Sequence, residues 1–204
     1  MKDIMSKFQE NILSGLHGIA NEYVVFAIAW HVVFYALIIA LLARWQPSYR
    51  LLGTMMLLPL LSVSVLAWIT GNPFNGLLFS AAAILLLFFG LKAPDQTIVM
   101  SRLPFAIAGI VMVVFGLLYP HFLETQSPLT YLYASPTGLV PCPTLSVVIG
   151  LALLFNGFGS KALSIVLLSY GLFYGLFGVI VLSVYLDIGL IIGSAALLLQ
   201  LVRN

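Results

Sequence analysis

Between Lys161 and Arg203 the chain runs through residues 162–202, 41 in all, with one charge, Asp187. No single helix uses so long an apolar run: a bilayer core of ~30 Å takes about 20 helical residues. An aspartate at the centre of a membrane helix costs ~2.5–3.5 kcal/mol on the insertion scale. A turn at Asp187 splits the run into two spans and avoids that cost. This reading gives seven crossings where a single long helix would give six.

The rest of the chain obeys the same constraint. Only 7% of its 204 residues are Asp, Glu, Lys or Arg, against 62% hydrophobic, and mean hydropathy is +1.16. One water-soluble core of this size cannot hide so much apolar surface, whereas lipid solvates it. The expected class is all-α: a polytopic membrane helix bundle whose first partner is the lipid bilayer. A net charge of +2 gives no basis for nucleic-acid binding. Cys142 is the one cysteine, so an intrachain disulfide and a two-cysteine redox pair are excluded. The N-terminus has no continuous apolar core of a cleavable signal peptide.

Residues 1–22 read as an amphipathic segment ahead of a single transmembrane domain, 23–204. Ile4, Met5, Phe8, Ile12, Leu13, Leu16 and Ile19 recur on one face, with Lys2, Asp3, Lys7, Glu10, Asn11 and Ser14 mostly opposite. Such a helix either lies in the headgroup layer or packs as a lid on the bundle end. The expected spans are 23–43, 51–69, 74–91, 103–119, 143–158, 162–181 and 185–202, the fifth notably short. With the N-terminus outside, Arg44, Arg50, Lys92, Arg102, Lys161 and Arg203 fall on one side, and Lys2 and Lys7 on the other. The positive-inside rule makes the first side cytoplasmic. The expected location is therefore a cell's inner (plasma) membrane, with the C-terminus inside. Gly171, Gly175 and Gly178 put small residues on one face of the sixth span, and Gly189, Gly193 and Ser194 do so in the seventh. Small residues allow close backbone approach where lipid removes the hydrophobic drive between helices.

The segment from Pro120 to Cys142 is unlike the other connections. Pro120, Pro128, Pro136 and Pro141 forbid a regular helix through it, yet Glu124 is its one charge. Leu129, Tyr131, Leu132, Tyr133, Leu139 and Val140 favour burial. Irregular backbone at membrane depth survives only against protein or a wet cavity. The segment is therefore expected to fold onto the outer half of the bundle and wall a cavity with His31. It ends in Pro141-Cys142-Pro143-Thr144. Pro143 suits a first helical turn and puts Cys142 near the N-cap, where the helix end favours a thiolate, a soft metal contact or an anion. The alternative is a proline helix start with a small buried cysteine. His31 reads either as an interior hydrogen-bonding residue or as a ligand or proton carrier. His121 and Glu124 share an H-x-x-E spacing. His17 reads as solvated. Asn72-Pro73-Phe74-Asn75 forms a tight outer turn.

Ser135-Pro136-Thr137-Gly138 followed by Pro141-Cys142-Pro143-Thr144 resembles the signature of an uncharacterised family of bacterial integral-membrane proteins, a domain-of-unknown-function family. Asn72-Pro73 and Asp187-Ile188-Gly189-Leu190 are similar as well. The resemblance spans roughly residues 22–201 and implies seven helices, but no activity. The Pro-Cys-Pro start is also similar to one in nickel/cobalt efflux permeases, whose histidine-rich motifs this chain lacks.

The leading functional expectation is a small transporter of a solute or metal cation, with a site open to the outer face. Its candidate groups are Cys142, Thr144, His31, His121, Glu124 and Asp187, a mixed soft and oxygen set suited to a transition metal. Within that site Cys142 is expected to neighbour Glu124, His121 and Asp187, in that order. The alternative is a non-transporting accessory subunit of a membrane complex, or a homo-oligomer, docking through its small-residue faces. An enzyme acting on lipid or thiol is the third reading. It has the least support, because no nucleophile–base–orienter set and no diagnostic metal motif are present. No cofactor is assigned.

Overall fold

The computed structural model describes residues 2–203 and contains no strand among them. The side chains of Lys2, Asp3, Ile4, Met5 and Phe8 lie outside the described residues, so that part of the amphipathic pattern is not placed.

Helix α1, Lys2–Glu22, meets α2, Val24–Leu42, at a kink on Tyr23 (φ −108°, ψ 24°). Next come α3, Tyr49–Met55, and α4, Leu57–Ile69. These two form one 21-residue apolar stretch. It is interrupted before Pro59, whose ring conflicts with the carbonyl four residues back, on Met55. Helix α5, Pro73–Leu91, opens with Pro73 in its first turn, and the Asn72 side chain accepts from Asn75 N–H at 3.1 Å. Both are standard helix-starting devices. Helix α6 is Leu103–Leu117, and a short α7, Tyr131–Ala134, interrupts the long connection. Helix α8 is Pro141–Leu154 and α9 is Lys161–Leu176, extended by a π-helical turn at Phe177–Val181. Ser183 then takes a left-handed φ of 58°, Tyr185–Asp187 form a 3₁₀ turn, and α10, Ile188–Arg203, returns. The chain reverses at Asp187, as the cost of a mid-helix carboxylate requires.

Among the described residues, five stretches are long and apolar enough to cross a membrane: Val24–Leu42, Tyr49–Ile69, Pro73–Leu91, Lys161–Val181 and Tyr185–Arg203. Leu103–Leu117 and Pro141–Leu154 are apolar but shorter. At 1.5 Å per residue, the 14 residues of α8 reach only about 21 Å. Helix α8 is the axis of the bundle: every residue from Pro141 to Leu153 is buried. It packs against α6, α9, α10 and α4. Its start differs from the expected Pro143 because Pro141 already occupies the first turn, which puts Cys142 inside the helix with Val140 as N-cap.

The tightest contact joins α6 to α8 through glycines the sequence pattern did not single out. A Cβ on Gly109 would lie 2.6 Å from the Gly150 carbonyl oxygen, and one on Gly116 would lie 2.6 Å from that of Pro143. Gly171 faces Ser194 and Ile149, Gly175 faces Ile191 of α10, and Gly178 faces the Asp187 carboxylate. A Cβ on Gly175 would lie 2.8 Å from Ile191 Cγ1 and 3.2 Å from the Asp187 carbonyl oxygen. Gly175→Leu is therefore expected to destabilise the bundle by ~1–3 kcal/mol through overpacking. Leu176 is 46% exposed on the outer face, so Leu176→Ala is expected to melt close to wild type. Thermal unfolding in one detergent compares the two.

All six basic residues outside α1 lie at one end. There Ser48 bridges Thr97, Ile98 N–H donates to the Pro47 carbonyl at 3.0 Å, and Arg50 meets Asp95 at 3.4 Å. The other end holds α1, the 70–73 turn, the 118–140 connection and the Asp187 turn. Here α1 packs as a lid, with Leu16, Ile19 and Ala20 buried. Gln9 Nε2 donates to the Leu182 carbonyl at 2.9 Å, and Asn21 Nδ2 to that of Phe122 at 2.9 Å.

Candidate functional site

The lid covers a cavity of about 390 Å³. Its walls come from Asn11, Ile12, Gly15 and Leu16 of α1, Thr70–Asn75 around the start of α5, Pro141 and Cys142 of α8, and Tyr174, Phe177, Gly178 and Leu182. No Asp, Glu, Lys, Arg or His is among these residues. The polar groups are amides, a hydroxyl, a phenol and a thiol. Tyr174 donates to Asn75 Oδ1 at 2.8 Å, which ties α9 to the start of α5.

Cys142 is the thiol in the cavity wall. Its thiol donates to Asp187 Oδ2 at 3.1 Å, and Tyr119 donates to Asp187 Oδ1 at 2.7 Å. Asp187 is 1% exposed and Tyr119 is fully buried. No cation pairs with this carboxylate among the described residues. Its compensation comes from two donors and from the amino end of α10, which begins at the next residue. Hydrogen bonds to a charged acceptor are the strong ones, and helix amino ends favour negative charge. The π turn matters to this geometry. It sets Gly178 directly against the carboxylate, where no other residue leaves room for it. Single π turns are frequent at functional sites.

The Pro-Cys-Pro string has a physical reason beyond starting a helix. The first four N–H groups of any helix lack intrahelical partners, and buried unpaired donors are costly. Residues 140–144 are all buried. Proline at 141 and 143 removes two of the stranded donors, so this helix start tolerates burial. Thr144 Oγ1 donates to the Val140 carbonyl at 2.7 Å and accepts from Gly138 N–H at 2.8 Å, stapling the loop to the helix.

The remaining candidates do other work. His31 is 1% exposed and does not line the cavity. Its Nδ1 lies 2.8 Å from the Ala27 carbonyl oxygen and its Nε2 lies 2.9 Å from that of Leu117. Thr137 donates to the Gly116 carbonyl at 2.7 Å and Ser135 to the same oxygen at 3.3 Å. The Ser-Pro-Thr string and His31 thus close the carboxyl end of α6, whose last carbonyls would otherwise be buried unpaired. The expectation that the 120–142 connection walls a cavity with His31 is corrected. The connection supplies the cavity with Pro141 and Cys142, and α1 supplies the roof. Its Leu129, Leu132 and Tyr133 are exposed, not buried.

Glu124 sits at the surface and pairs with His17 at 2.7 Å, so His17 holds the lid and is not merely solvated. His121 is half-buried beside Phe122 and Tyr119. Burial first, and the neighbouring His17 second, hold its imidazole below the ordinary histidine value. Of the expected Cys142 neighbours Glu124, His121 and Asp187, Asp187 is the one hydrogen-bonded to the thiol. No group of three or more His, Cys, Asp or Glu able to hold a metal exists among the described residues. Cys142 and Asp187 are two potential ligands that the structure brings together.

Tyr119, Tyr174 and Asn75 were not legible as site residues. Tyr119 follows an apolar helix at the expected membrane surface, where aromatic residues are common as interface anchors. No family model, curated protein or solved structure matches the chain.

Proposed function

We propose that this chain is a seven-span membrane protein of the transporter type that admits a small, neutral solute from its outer side. The observation that carries the reading is the cavity beneath α1: about 390 Å³, mostly apolar with amide, hydroxyl and phenol groups in its walls, and with no charged residue lining it. A charged solute would find no charged side chain in the walls, since the Asp187 carboxylate behind Cys142 and Gly178 is 1% exposed and already held by two donors, and would lose its hydration without return. A neutral one with hydrogen-bonding edges finds partners in Asn11, Asn72 and Thr70 and apolar contact with Ile12, Phe74 and Phe177. In this reading α6 and α8 are the two short spans, sealed at both ends by the lid and the loops. The six basic residues at the opposite end support a cytoplasmic position for it, in an inner membrane. The family resemblance carried by residues 135–144 accords with seven helices.

One observation favours the alternative of an accessory subunit. Helix α2 turns part of its surface outward, leaving Val25, Val32 and Leu42 exposed. Lipid or a membrane partner covers such a face equally well.

The cavity reading is tested by ligand-induced thermal stabilisation of the purified chain. Small neutral amides and polyols are compared with their carboxylate and ammonium analogues and with Zn²⁺, Ni²⁺ and Co²⁺. At least one neutral compound is expected to stabilise saturably. Gly15→Leu should abolish the effect, since Gly15 lines the cavity and a Cβ there meets nothing within 4 Å. Stabilisation by charged compounds or metals alone, or a response unchanged in Gly15→Leu, would overturn it.

A further inference from the structure

The cavity under α1 holds a donor with no partner, and that donor constrains what can bind beside it. Asn75 lines the cavity and is 5% exposed. Its Oδ1 accepts from the Tyr174 hydroxyl at 2.8 Å, and its backbone N–H donates to Asn72 Oδ1 at 3.1 Å. The Tyr174 hydroxyl is buried and has no other acceptor among the described residues, so this contact fixes the Asn75 amide with its oxygen toward Tyr174. Nδ2 then has no acceptor among the described residues. It is not sealed off either: the fully enclosed unpaired side-chain atoms are Thr54 Oγ1, Ser194 Oγ and Gln200 Oε1. A side chain so buried, with a free N–H group in a cavity wall, is placed to meet an acceptor that enters the cavity.

The groups around Asn75 repeat the pattern. Asn72 Oδ1 is occupied by the Asn75 N–H, which leaves the Asn72 side chain with N–H groups to offer. Pro73 opens α5 without an N–H, and the Phe74 N–H precedes the first intrahelical bond, from Gly76 to the Asn72 carbonyl. The hydroxyl and thiol protons are already in use. Thr70 donates to the Leu66 carbonyl at 2.7 Å, Tyr174 to Asn75, and Cys142 to Asp187. The wall at the start of α5 therefore offers N–H donors, while the amide oxygens of Asn72 and Asn75 each already accept a hydrogen bond.

A carbonyl oxygen has two lone pairs and no proton, so it suits such a wall. A hydroxyl accepts there as well, but its own proton must then share an oxygen that is already hydrogen-bonded. A carboxylate would face Asp187 behind Cys142 with no cation in the walls. Resting on the reading of this cavity as a neutral-solute site, we propose that its substrates are neutral carbonyl compounds (ketones, esters or amides) whose oxygen accepts from Asn75 Nδ2. The amino end of the 19-residue α5 adds positive partial charge on the same side. Phe74, Phe177 and Leu182 receive the apolar remainder of the molecule.

The test compares matched pairs, cyclopentanone with cyclopentanol and 2-pentanone with 2-pentanol, by thermal stabilisation of the purified full-length chain in neutral detergent. Any response retained in Gly15→Leu is subtracted as binding outside the cavity. Each ketone is expected to bind roughly ten-fold more tightly than its alcohol, whose proton is left poorly paired. Asn75→Leu should erase that preference. Where that variant fails to fold, Tyr174→Phe decides. Without the phenolic donor, Asn75 is free to turn its oxygen into the cavity and accept from an alcohol, so the ketone preference should fall by roughly three-fold or more. Ketones and alcohols binding equally in the wild-type chain, or a preference unchanged in Tyr174→Phe, would overturn the carbonyl assignment and leave the neutral-solute cavity standing. Ketones without any Gly15-dependent response would overturn the assignment too, and the polyol titration then decides separately on the cavity itself.

Discussion

Replacing Gly150 by leucine is expected to abolish folding of the bundle. A Cβ at this position would lie 2.7 Å from the Val113 amide nitrogen and 2.8 Å from the Gly109 carbonyl oxygen. Both are backbone atoms of α6, which move only if the helices separate. Ordinary overpacking in a core costs ~1–3 kcal/mol. The cost here should exceed that range, because no flexible side chain absorbs the strain and α8 is buried on every side. The measurement is the yield and dispersity of detergent-solubilised protein. Ile107→Ala on the same α6, at a position 53% exposed, serves as the tolerant control. A monodisperse Gly150→Leu protein melting like wild type would show that α6 and α8 do not meet there.

Asp187→Ala is expected to have the next largest effect. It strands the Tyr119 hydroxyl, which is fully buried, and the Cys142 thiol. A buried hydroxyl left without a partner costs about 1–3 kcal/mol. The decisive comparison is a double-mutant cycle with Tyr119→Phe. Removing Tyr119 alone takes away one of two side-chain donors from a buried carboxylate, and removing both members leaves neither hydroxyl nor carboxylate stranded. The double variant should therefore be more stable than the sum of the single losses predicts, with a coupling of ~0.5–3 kcal/mol. Strict additivity would mean that the Tyr119–Asp187 hydrogen bond contributes nothing. Asp187→Asn should fall between wild type and Asp187→Ala, since its amide oxygen still accepts from Tyr119.

The helical class and the reversal at Asp187 were legible because both follow from one cost, that of charge in lipid. The α9–α10 glycines were legible because they repeat along one helical face. The α6–α8 contact was not: Gly109 and Gly116 lie in an apolar helix where lipid-facing and protein-facing residues look alike. For the same reason nothing in 141–154 marked α8 as the central helix, since apolarity all round suits a bilayer and a core equally. The candidate site divided along a similar line. Cys142 and Asp187 were separately visible as polar groups in an apolar chain, and they do meet. His31, Thr144, Glu124 and His121 were visible for the same reason, yet three of them satisfy needs that exist only in three dimensions. His31 reaches a carbonyl 86 residues away, Glu124 reaches His17 across 107, and Thr144 closes the loop ahead of its own helix. No spacing rule encodes such partners.

The central claim is that the cavity under α1 opens to the outer side with Cys142 at its floor. Because Cys142 is the one cysteine, alkylation of the wild-type chain reports on that position alone. The measurement is the rate of labelling by a small neutral maleimide in sealed right-side-out vesicles, with an impermeant thiol quencher present on one side or the other. The account predicts measurable labelling that an outside quencher suppresses and an inside quencher does not. It also predicts that Gly15→Leu slows labelling at least ten-fold, on the order of what blocking a positioned approach costs, with an unchanged melting temperature. Labelling suppressed only from the inside, or equal rates in wild type and Gly15→Leu, would contradict it.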